Sequence, residues 1–427
     1  MQILYADAGL RGLEGHHASS AAALPAAFQR LGHDVTVLGH RELSRALQLS
    51  TGAKPFFRAF TYDTPSLDPI AGWLTNFAIA LEATVLDLRR AWLEFGPFDL
   101  VYFNSAKPAQ IAALGQWIKA EFVTTGVGPK IVVELGTEAG LDRSGTADAP
   151  TFVVREPTAL LYRHARNWIG KKWMREVKLA TVAEEAAKEY EFLFDVPVKV
   201  LPFPQPQPLL RRRMFNNPLT IGLLGHQRLD KGWQFAPEFI PRVLQRYPSV
   251  RFIAHQSDPE SLPEVDARLS ELARREPRLE LIIVPAINKE WHALIDRCDI
   301  VVLPYDPIRY RGSYSAIVGE ALAAGAPLVL PSETTLSSAV KANEGGASYF
   351  TEWKAEPIAK GIAETIDNFD VLARKAYSAG AVWRERHGPD PFVQGVIAAA
   401  GLDGFIGRAR RATTQAKRGF RNLLARS

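Results

Sequence analysis

The residues best suited to do chemistry lie between Leu303 and Pro331, where an apolar run ends and a polar loop leads into a helix. The free N–H groups and positive dipole end of such a helix favour phosphate. Gly312 would allow a ligand close to the backbone, and Glu320, about two turns into the helix, would reach a ribose diol. An ordinary strand–loop–helix unit with a solvated glutamate fits the same pattern. The candidate ligand-binding residues here are Arg311, Gly312, Ser313, Tyr314, Ser315 and Glu320.

The alternation of strands and helices predicts how these residues are positioned. Strand, glycine-rich loop, helix and strand follow one another over the first 40 residues, which predicts a βαβ unit and therefore a parallel sheet. Further strands are predicted at Asp99–Phe103, Lys130–Glu134 and Leu179–Val182. Residues 136–157 are rich in Gly, Asp, Thr and Pro, which predicts a loop. A helical stretch is expected after them, from Thr158 to Val177.

A proline-rich segment from Pro202 to Asn217 is predicted to be an interdomain linker, because proline is excluded from central strands and stiffens the chain. Alternation then restarts with a strand at Thr220–Leu224. The predicted fold is α/β, with two Rossmann-like doubly wound domains over residues 1–201 and 218–385 and a C-terminal segment over residues 386–427. Ligands of such sheets bind beyond the carboxyl ends of the strands, so the two sites would face each other across a cleft.

Composition narrows the class of protein. The 427 residues suit two domains, and 47% apolar and 23% charged residues are ordinary for a globular chain. A single cysteine, Cys298, excludes an intrachain disulfide and is expected to be buried packing. We expect a cytoplasmic protein, because the sequence shows neither a secretion signal nor an apolar run of about 18 residues.

With these elements in place, the segment around Glu320 resembles the GT-B glycosyltransferases, in particular the large family 4 of retaining enzymes. Glu320, Ala321, Gly325 and Pro327 fall in register with the family pattern. The resemblance implies that Glu320 contacts the ribose of a nucleotide sugar. The pattern has an earlier glutamate, which helps to position the donor sugar, at the place where this chain has Gly312.

The segment Leu223–Gly232 extends the resemblance. Gly225 and Lys231 match the family in spacing, whereas the expected arginine position holds His226 and Arg228 follows two residues later. The resemblance implies that Lys231, with Arg228, holds the donor diphosphate and offsets the charge of the departing nucleotide, a role that metals play elsewhere. No metal or cofactor is therefore expected, and the nucleotide-diphosphate sugar is the substrate. The alternative is a solvated charged turn.

The loop with Gly15 and His16 is similar to the family's N-terminal signature, which approaches the donor phosphates and the acceptor. Glu134 and Glu138 occupy the strand end where the family carries a His-Asp pair. His16 and Glu134 are the candidate catalytic residues, with a surface loop and structural carboxylates as the alternative. The implied mechanism is front-face displacement with retention of configuration.

The C-terminal tail carries the excess positive charge. Residues 404–427 hold seven basic and no acidic residues, whereas the whole chain has a net charge of +5. Apolar residues recur there near helical spacing, which is typical of a helix that binds an anionic membrane surface. A membrane contact would suit an enzyme that glycosylates a lipid-linked acceptor; a solvated tail is the alternative, and no nucleic-acid partner is expected.

Three functions remain open. The first is a glycosyltransferase of surface glycan or glycolipid assembly. The second is another enzyme of the same fold, such as a nucleotide-sugar epimerase. The third is a degenerate GT-B protein that binds a nucleotide sugar or a partner without turnover, which Gly312 keeps in view.

Overall fold

The computed structural model describes residues 1–13, 15–62, 72–122, 126, 128–136, 139–145, 150–170, 173–215, 218–256, 258–283, 286 and 289–403. The strands are β1 Gln2–Ala6, β2 Asp34–His40, β3 Lys54–Phe57, β4 Leu100–Phe103, β5 Lys130–Glu134, β6 Leu141–Gly145, β7 Pro150–Val154, β8 Val177–Thr181, β9 Lys199–Val200, β10 Leu219–Leu223, β11 Val250–His255, β12 Leu279–Ile282, β13 Ile300–Val302, β14 Leu328–Pro331 and β15 Ala347–Phe350.

The helices cover both faces of the sheets. They are α1 Gly15–Arg30, α2 Arg45–Thr51, α3 Gly72–Phe95, α4 Pro108–Phe122, α5 Thr158–Ile169, α6 Glu184–Phe194, α7 Ala236–Arg246, α8 Pro263–Arg275, α9 Lys289–Arg297, α10 Ala316–Ala323, α11 Thr335–Ala342, α12 Ala355–Asp367, α13 Phe369–Arg386 and α14 Pro389–Ala399. We call β1 to β9 with α1 to α6 the first half, and β10 to β15 with α7 to α13 the second half.

Each half contains one parallel sheet. The first has the order β3-β2-β1-β4-β5-β8-β9 and the second the order β12-β11-β10-β13-β14-β15. Every residue of β4 and of β10 is buried, as expected for parallel strands covered by helices on both faces. The predicted α/β class with two doubly wound sheets is confirmed. The direction of winding reverses between β1 and β4 and between β10 and β13, which is where such sheets bind ligands.

The prediction of a loop over residues 136–157 was wrong for part of its length. β6 and β7 pair there as an antiparallel hairpin, with Leu141 opposite Val154. The Gly- and Asp-rich composition hid a short run of β-favouring residues at Thr151–Val154. The predicted helix from Thr158 also ends early, at Ile169, because Gly170 follows with a positive φ of 76°. Sequence patterns missed α2 and β3 as well, which form the edge of the first sheet.

The connection between the halves packs against the end of the chain. Residues 201–215 have no regular secondary structure, and the ring of Phe203 lies 4.9 Å from that of Trp383. The backbone N–H of Phe203 donates to Nδ1 of His387 at 3.0 Å. Beyond that histidine the chain returns to the first half, where Phe392 of α14 contacts the ring of Tyr102 at 5.9 Å.

The basic tail of residues 404–427 lies outside the described residues, so its predicted membrane helix stays a prediction. Within the part of the chain that the structure describes, no helix combines the length and apolar character needed to span a membrane.

Candidate active site

The turn after β10 is built on two glycines that need their type. Gly225 has a φ of 108°, and a Cβ there would lie 2.5 Å from Cδ1 of Ile317. Gly232 has a φ of 71°, and a Cβ there would lie 1.9 Å from the carbonyl oxygen of Pro304, just after β13. L side chains rarely adopt such backbone angles. The turn is therefore pressed onto the neighbouring strand end, which fixes the intervening Lys231.

Lys231 brings a positive charge to this strand end. Its Nζ lies 3.6 Å from the Cβ position of Gly225 and 5.5 Å from the centroid of the Tyr305 ring. Burial lowers the pKa of Lys231 to about 8, and the nearby Arg228 cation contributes to that shift. An ammonium held in such surroundings gains from the arrival of an anion.

Arg228 stands beside this lysine with its charge already balanced. Its guanidinium donates two hydrogen bonds to the carboxylate of Asp230, at 2.9 and 2.7 Å, and another to the hydroxyl of Tyr310 at 3.1 Å. Arg228 and Lys231 lie close together as the sequence predicts, but the lysine is the cation whose charge Asp230 does not hold by a direct bond. His226, which directly follows Gly225, is partly buried.

Glu320 lines a cavity of about 180 Å³ at the junction of the two halves. Its carboxylate is 5% exposed and accepts a hydrogen bond from Nε1 of Trp291 at 2.8 Å. Burial raises the pKa of Glu320 to about 7, and the indole donor opposes the rise. Ser19 of α1 and Lys289 of α9 also line this cavity. Such a carboxylate can accept hydrogen bonds from a diol, as the sequence analysis expects of Glu320.

Glu134 joins the first half to the second. Its Oε2 accepts a hydrogen bond from the hydroxyl of Tyr102 at 2.7 Å, and its Oε1 lies 3.4 Å from the hydroxyl of Tyr314. Burial raises the pKa of Glu134, while the Tyr102 hydrogen bond lowers it. The structure thus brings two of the predicted site residues, Glu134 and Tyr314, into contact. Glu138 lies outside the described residues.

His16 faces the cations of the second half. Its Nε2 lies 3.2 Å from Oγ of Ser105, a residue with a φ of 51° at the end of β4. Burial lowers the pKa of His16 well below its usual value, and the charges of His17 and Lys231 add to the effect. The imidazole is therefore neutral at pH 7 and able to accept a proton.

His17 belongs to a buried network that the sequence analysis missed. Its Nδ1 lies 2.7 Å from Oδ1 of Asp7, and its Nε2 lies 2.8 Å from the hydroxyl of Tyr62. The amide of Asn104 donates to Oδ2 of Asp7 at 2.7 Å. The available signal was an aspartate directly after β1 and an asparagine directly after β4, the two strands that flank the point of reversal.

The loop before α10 contacts the first half at several points. Nη1 of Arg311 donates to the carbonyl oxygen of Arg143 in the hairpin at 3.3 Å. The carbonyl oxygen of Ser313 accepts from the hydroxyl of Thr335. Ser315 precedes the helix and places its Oγ 3.4 Å from the hydroxyl of Tyr305. The helix begins at Ala316 rather than at the predicted Tyr314.

Gly15 differs from the other predicted residues. It is exposed at the first position of α1, its φ is 76°, and a Cβ there would meet nothing within 4 Å. The conformation of the backbone, rather than close contact with a neighbour, accounts for glycine at this position.

At the level of sequence, no protein-family model matches the chain and no curated protein is detectably similar to it. Solved structures decide the fold. It is the GT-B fold. The chain is similar to a glycosyltransferase from Rickettsia africae, with a TM-score of 0.62 and 11% identity over 93% of this chain and 97% of that one. Anabaena HepE in complex with UDP has a TM-score of 0.58 and 14% identity, over 94% and 100%.

A putative UDP-N-acetylglucosamine 2-epimerase from Listeria monocytogenes is also similar, with a TM-score of 0.55 and 13% identity over 93% of each chain. At these identities the likeness establishes the architecture alone. The resemblance to family 4 in particular gains no further support from it, and function must be argued from the site.

Proposed function

We propose that this protein is a metal-independent glycosyltransferase that moves a sugar from a nucleotide-diphosphate donor to an acceptor hydroxyl. The observation that carries the proposal is the Lys231 ammonium, which lies at the point of reversal of the second sheet and faces His16 of the first half. A diphosphate is the ligand whose charge suits that place. The similarity to HepE, which was crystallised with UDP and with UDP-glucose, supports a nucleotide sugar.

The donor is proposed to lie along the second half. Glu320 accepts hydrogen bonds from the ribose in the cavity beside Trp291. Lys231 and Arg228 neutralise the diphosphate, with the loop from Arg311 to Ser315 alongside. Gly225 leaves room for the phosphates because a side chain there would collide with Ile317 and narrow the space beside Lys231.

The acceptor is proposed to enter from the first half. Its hydroxyl oxygen bonds to the anomeric carbon while the bond from that carbon to the diphosphate oxygen breaks on the same face, so configuration is retained. The proton passes to the departing phosphate oxygen, and neutral His16 orients the hydroxyl. Glu134 holds Tyr314 at the reaction centre. An acceptor in surface glycan or glycolipid assembly, with membrane contact through residues 404–427, is part of the proposal.

Calorimetric and thermal-shift binding tests the donor site. The full chain is titrated with UDP, GDP, ADP and their sugar conjugates in the presence of EDTA. Saturable binding of one nucleotide raises the melting temperature by mass action and supports the proposal. Absence of binding across the panel contradicts it and favours a protein that binds a partner instead.

Turnover then separates the two enzymes of this fold. The bound nucleotide sugar is incubated without any acceptor, and the sugar is analysed. An epimerase, the function that the Listeria neighbour's name suggests, changes the free nucleotide sugar under these conditions. A glycosyltransferase leaves its configuration unchanged and releases nucleotide only when an acceptor is added.

A further inference from the structure

Gly312 is glycine for a reason that lies in the other half of the protein. Its φ is −116°, an angle that any residue adopts, so backbone strain does not explain it. A Cβ on residue 312 would lie 2.5 Å from Oε1 and 2.6 Å from Oε2 of Glu189. The space beside Gly312 is thus occupied by a carboxylate from α6 of the first half.

Glu189 is placed there by the packing of α6. Its side chain is 3% exposed, and Oε2 lies 3.4 Å from the backbone N–H of Ala139, which donates to it. Helix α6 also contacts α11 of the second half. A carboxylate is costly to bury away from water unless hydrogen-bond donors compensate it. At the junction of the two halves, such a group is positioned to receive donors from a ligand.

The order of groups along the second half indicates which part of the donor reaches this carboxylate. Glu320 lies inside α10, Ser315 lies just before that helix beside Tyr305, and Tyr305 lies next to Lys231. Gly312 comes next in the same direction. If the ribose lies at Glu320 and the diphosphate at Lys231, the transferred sugar is the group beyond them, at Gly312. A carboxylate repels phosphate but accepts hydrogen bonds from sugar hydroxyls.

We propose that Glu189 is a donor-binding residue that accepts hydrogen bonds from hydroxyl groups of the transferred sugar, and that residue 312 is glycine to admit this carboxylate. The inference rests on the proposed function, since it assumes a nucleotide sugar in the cleft. It assigns recognition of the sugar to the first half and of the nucleotide to the second half.

A comparison of nucleotide and nucleotide sugar tests the assignment. Binding of UDP and UDP-glucose, GDP and GDP-mannose, and ADP and ADP-glucose is measured by calorimetry for the wild-type chain and for Glu189→Gln. Loss of the charge should weaken the sugar conjugate by about tenfold, as expected for hydrogen bonds to a charged group, and change the bare nucleotide by less than about twofold. Glu184→Gln, an exposed glutamate of the same helix, is the matched control and should bind as wild type.

Two further variants keep the test informative if Glu189→Gln folds poorly. Gly312→Ala should push the carboxylate away and weaken the sugar conjugate alone. Gly312→Glu adds a second carboxylate to the same space, so binding should be poor, and Glu189→Ala combined with Gly312→Glu should recover affinity for the sugar conjugate. Recovery in the double variant would show that the carboxylate matters rather than the helix that carries it.

The possible failures are distinguishable. Equal effects of Glu189→Gln on nucleotide and nucleotide sugar, or no effect on either, would overturn the inference while donor binding by the wild-type chain leaves the proposed function standing. Binding of none of the six probes to the wild-type chain would overturn the proposed function, and the inference with it.

Discussion

The hydroxyl of Tyr314 lies 3.4 Å from Oε1 of Glu134, and this contact joins the two halves of the protein at the carboxyl ends of their sheets. Tyr102 donates to the other carboxylate oxygen at 2.7 Å, so one phenol from each half holds Glu134. Burial raises the pKa of that carboxyl group and the phenol hydrogen bonds oppose the rise. The contact therefore links the closeness of the halves to the charge of Glu134.

Tyr314→Phe should uncouple these effects. Removal of one hydroxyl costs about 0.5 to 1.5 kcal/mol of hydrogen bonding, and kcat/KM should fall by a comparable factor of about twofold to tenfold. The acid limb of the pH–rate profile should move to higher pH, because the pKa of Glu134 rises when a donor is lost. Tyr377→Phe, on an exposed ring, is the control. Identical profiles for the two variants would show that the contact has no role in turnover.

Lys231→Ala should abolish most of the affinity for the nucleotide. The variant removes the cation next to Gly225 and Tyr305, and the loss of a charge-assisted contact with diphosphate corresponds to a factor of about ten or more in Kd. Lys231→Arg should retain part of the affinity. The control is Lys360→Ala, on an exposed face of α12. Unchanged Kd in Lys231→Ala, measured by calorimetry, would contradict the proposed diphosphate site.

Affinity for a nucleotide sugar should depend on pH in a bell shape. Glu320, with a pKa of about 7, accepts hydrogen bonds from a diol best as the carboxylate, so affinity should fall as pH drops below 7. Lys231, with a pKa of about 8, loses its charge as pH rises above 8, so affinity should fall there too. The diphosphate diester of the sugar conjugate keeps a constant charge over this range.

Two variants assign the limbs of that curve. Glu320→Gln cannot titrate, so the acid limb should disappear and the alkaline limb should stay. Lys231→Arg keeps its charge, so the alkaline limb should disappear instead. Calorimetric titrations from pH 6 to pH 9 measure both. A flat profile in the wild-type chain would show that neither group meets the ligand in the proposed way.

Much of the fold could be predicted from the sequence because parallel strands buried on both faces give apolar runs separated by helical patterns. β5 and β11 lie at the predicted residues. The hairpin of β6 and β7 escaped because its strands are only half buried and its composition is that of a loop. Helix α14 escaped because packing on α1, rather than a local pattern, defines its place.

The candidate site divides in the same way. Local spacing points to Lys231 and Glu320, because a strand end and a helix start fix their positions. The partners of Gly312 and His17 could not be predicted, since Glu189 and Asp7 reach them through tertiary packing. Gly312 by itself suggests a missing group, whereas the structure brings a carboxylate to it from the other half.

Gly9 offers a test of the buried network around His17. A Cβ on Gly9 would lie 2.4 Å from Cε1 of the His17 ring, which hydrogen bonds to Asp7 and Tyr62 hold in place. Gly9→Ala should therefore destabilise the fold by about 1 to 3 kcal/mol, as overpacking does, and lower turnover by displacing the ring.

Gly12→Ala in the same loop is the matched control. A Cβ there meets nothing within 4 Å, so this variant should be neutral or stabilising by up to about 1 kcal/mol through the unfolded chain. Thermal and urea denaturation compare the two substitutions directly. Equal stability of Gly9→Ala and Gly12→Ala would mean that the His17 ring can move aside, and the network would then be too loose to fix the imidazole next to His16.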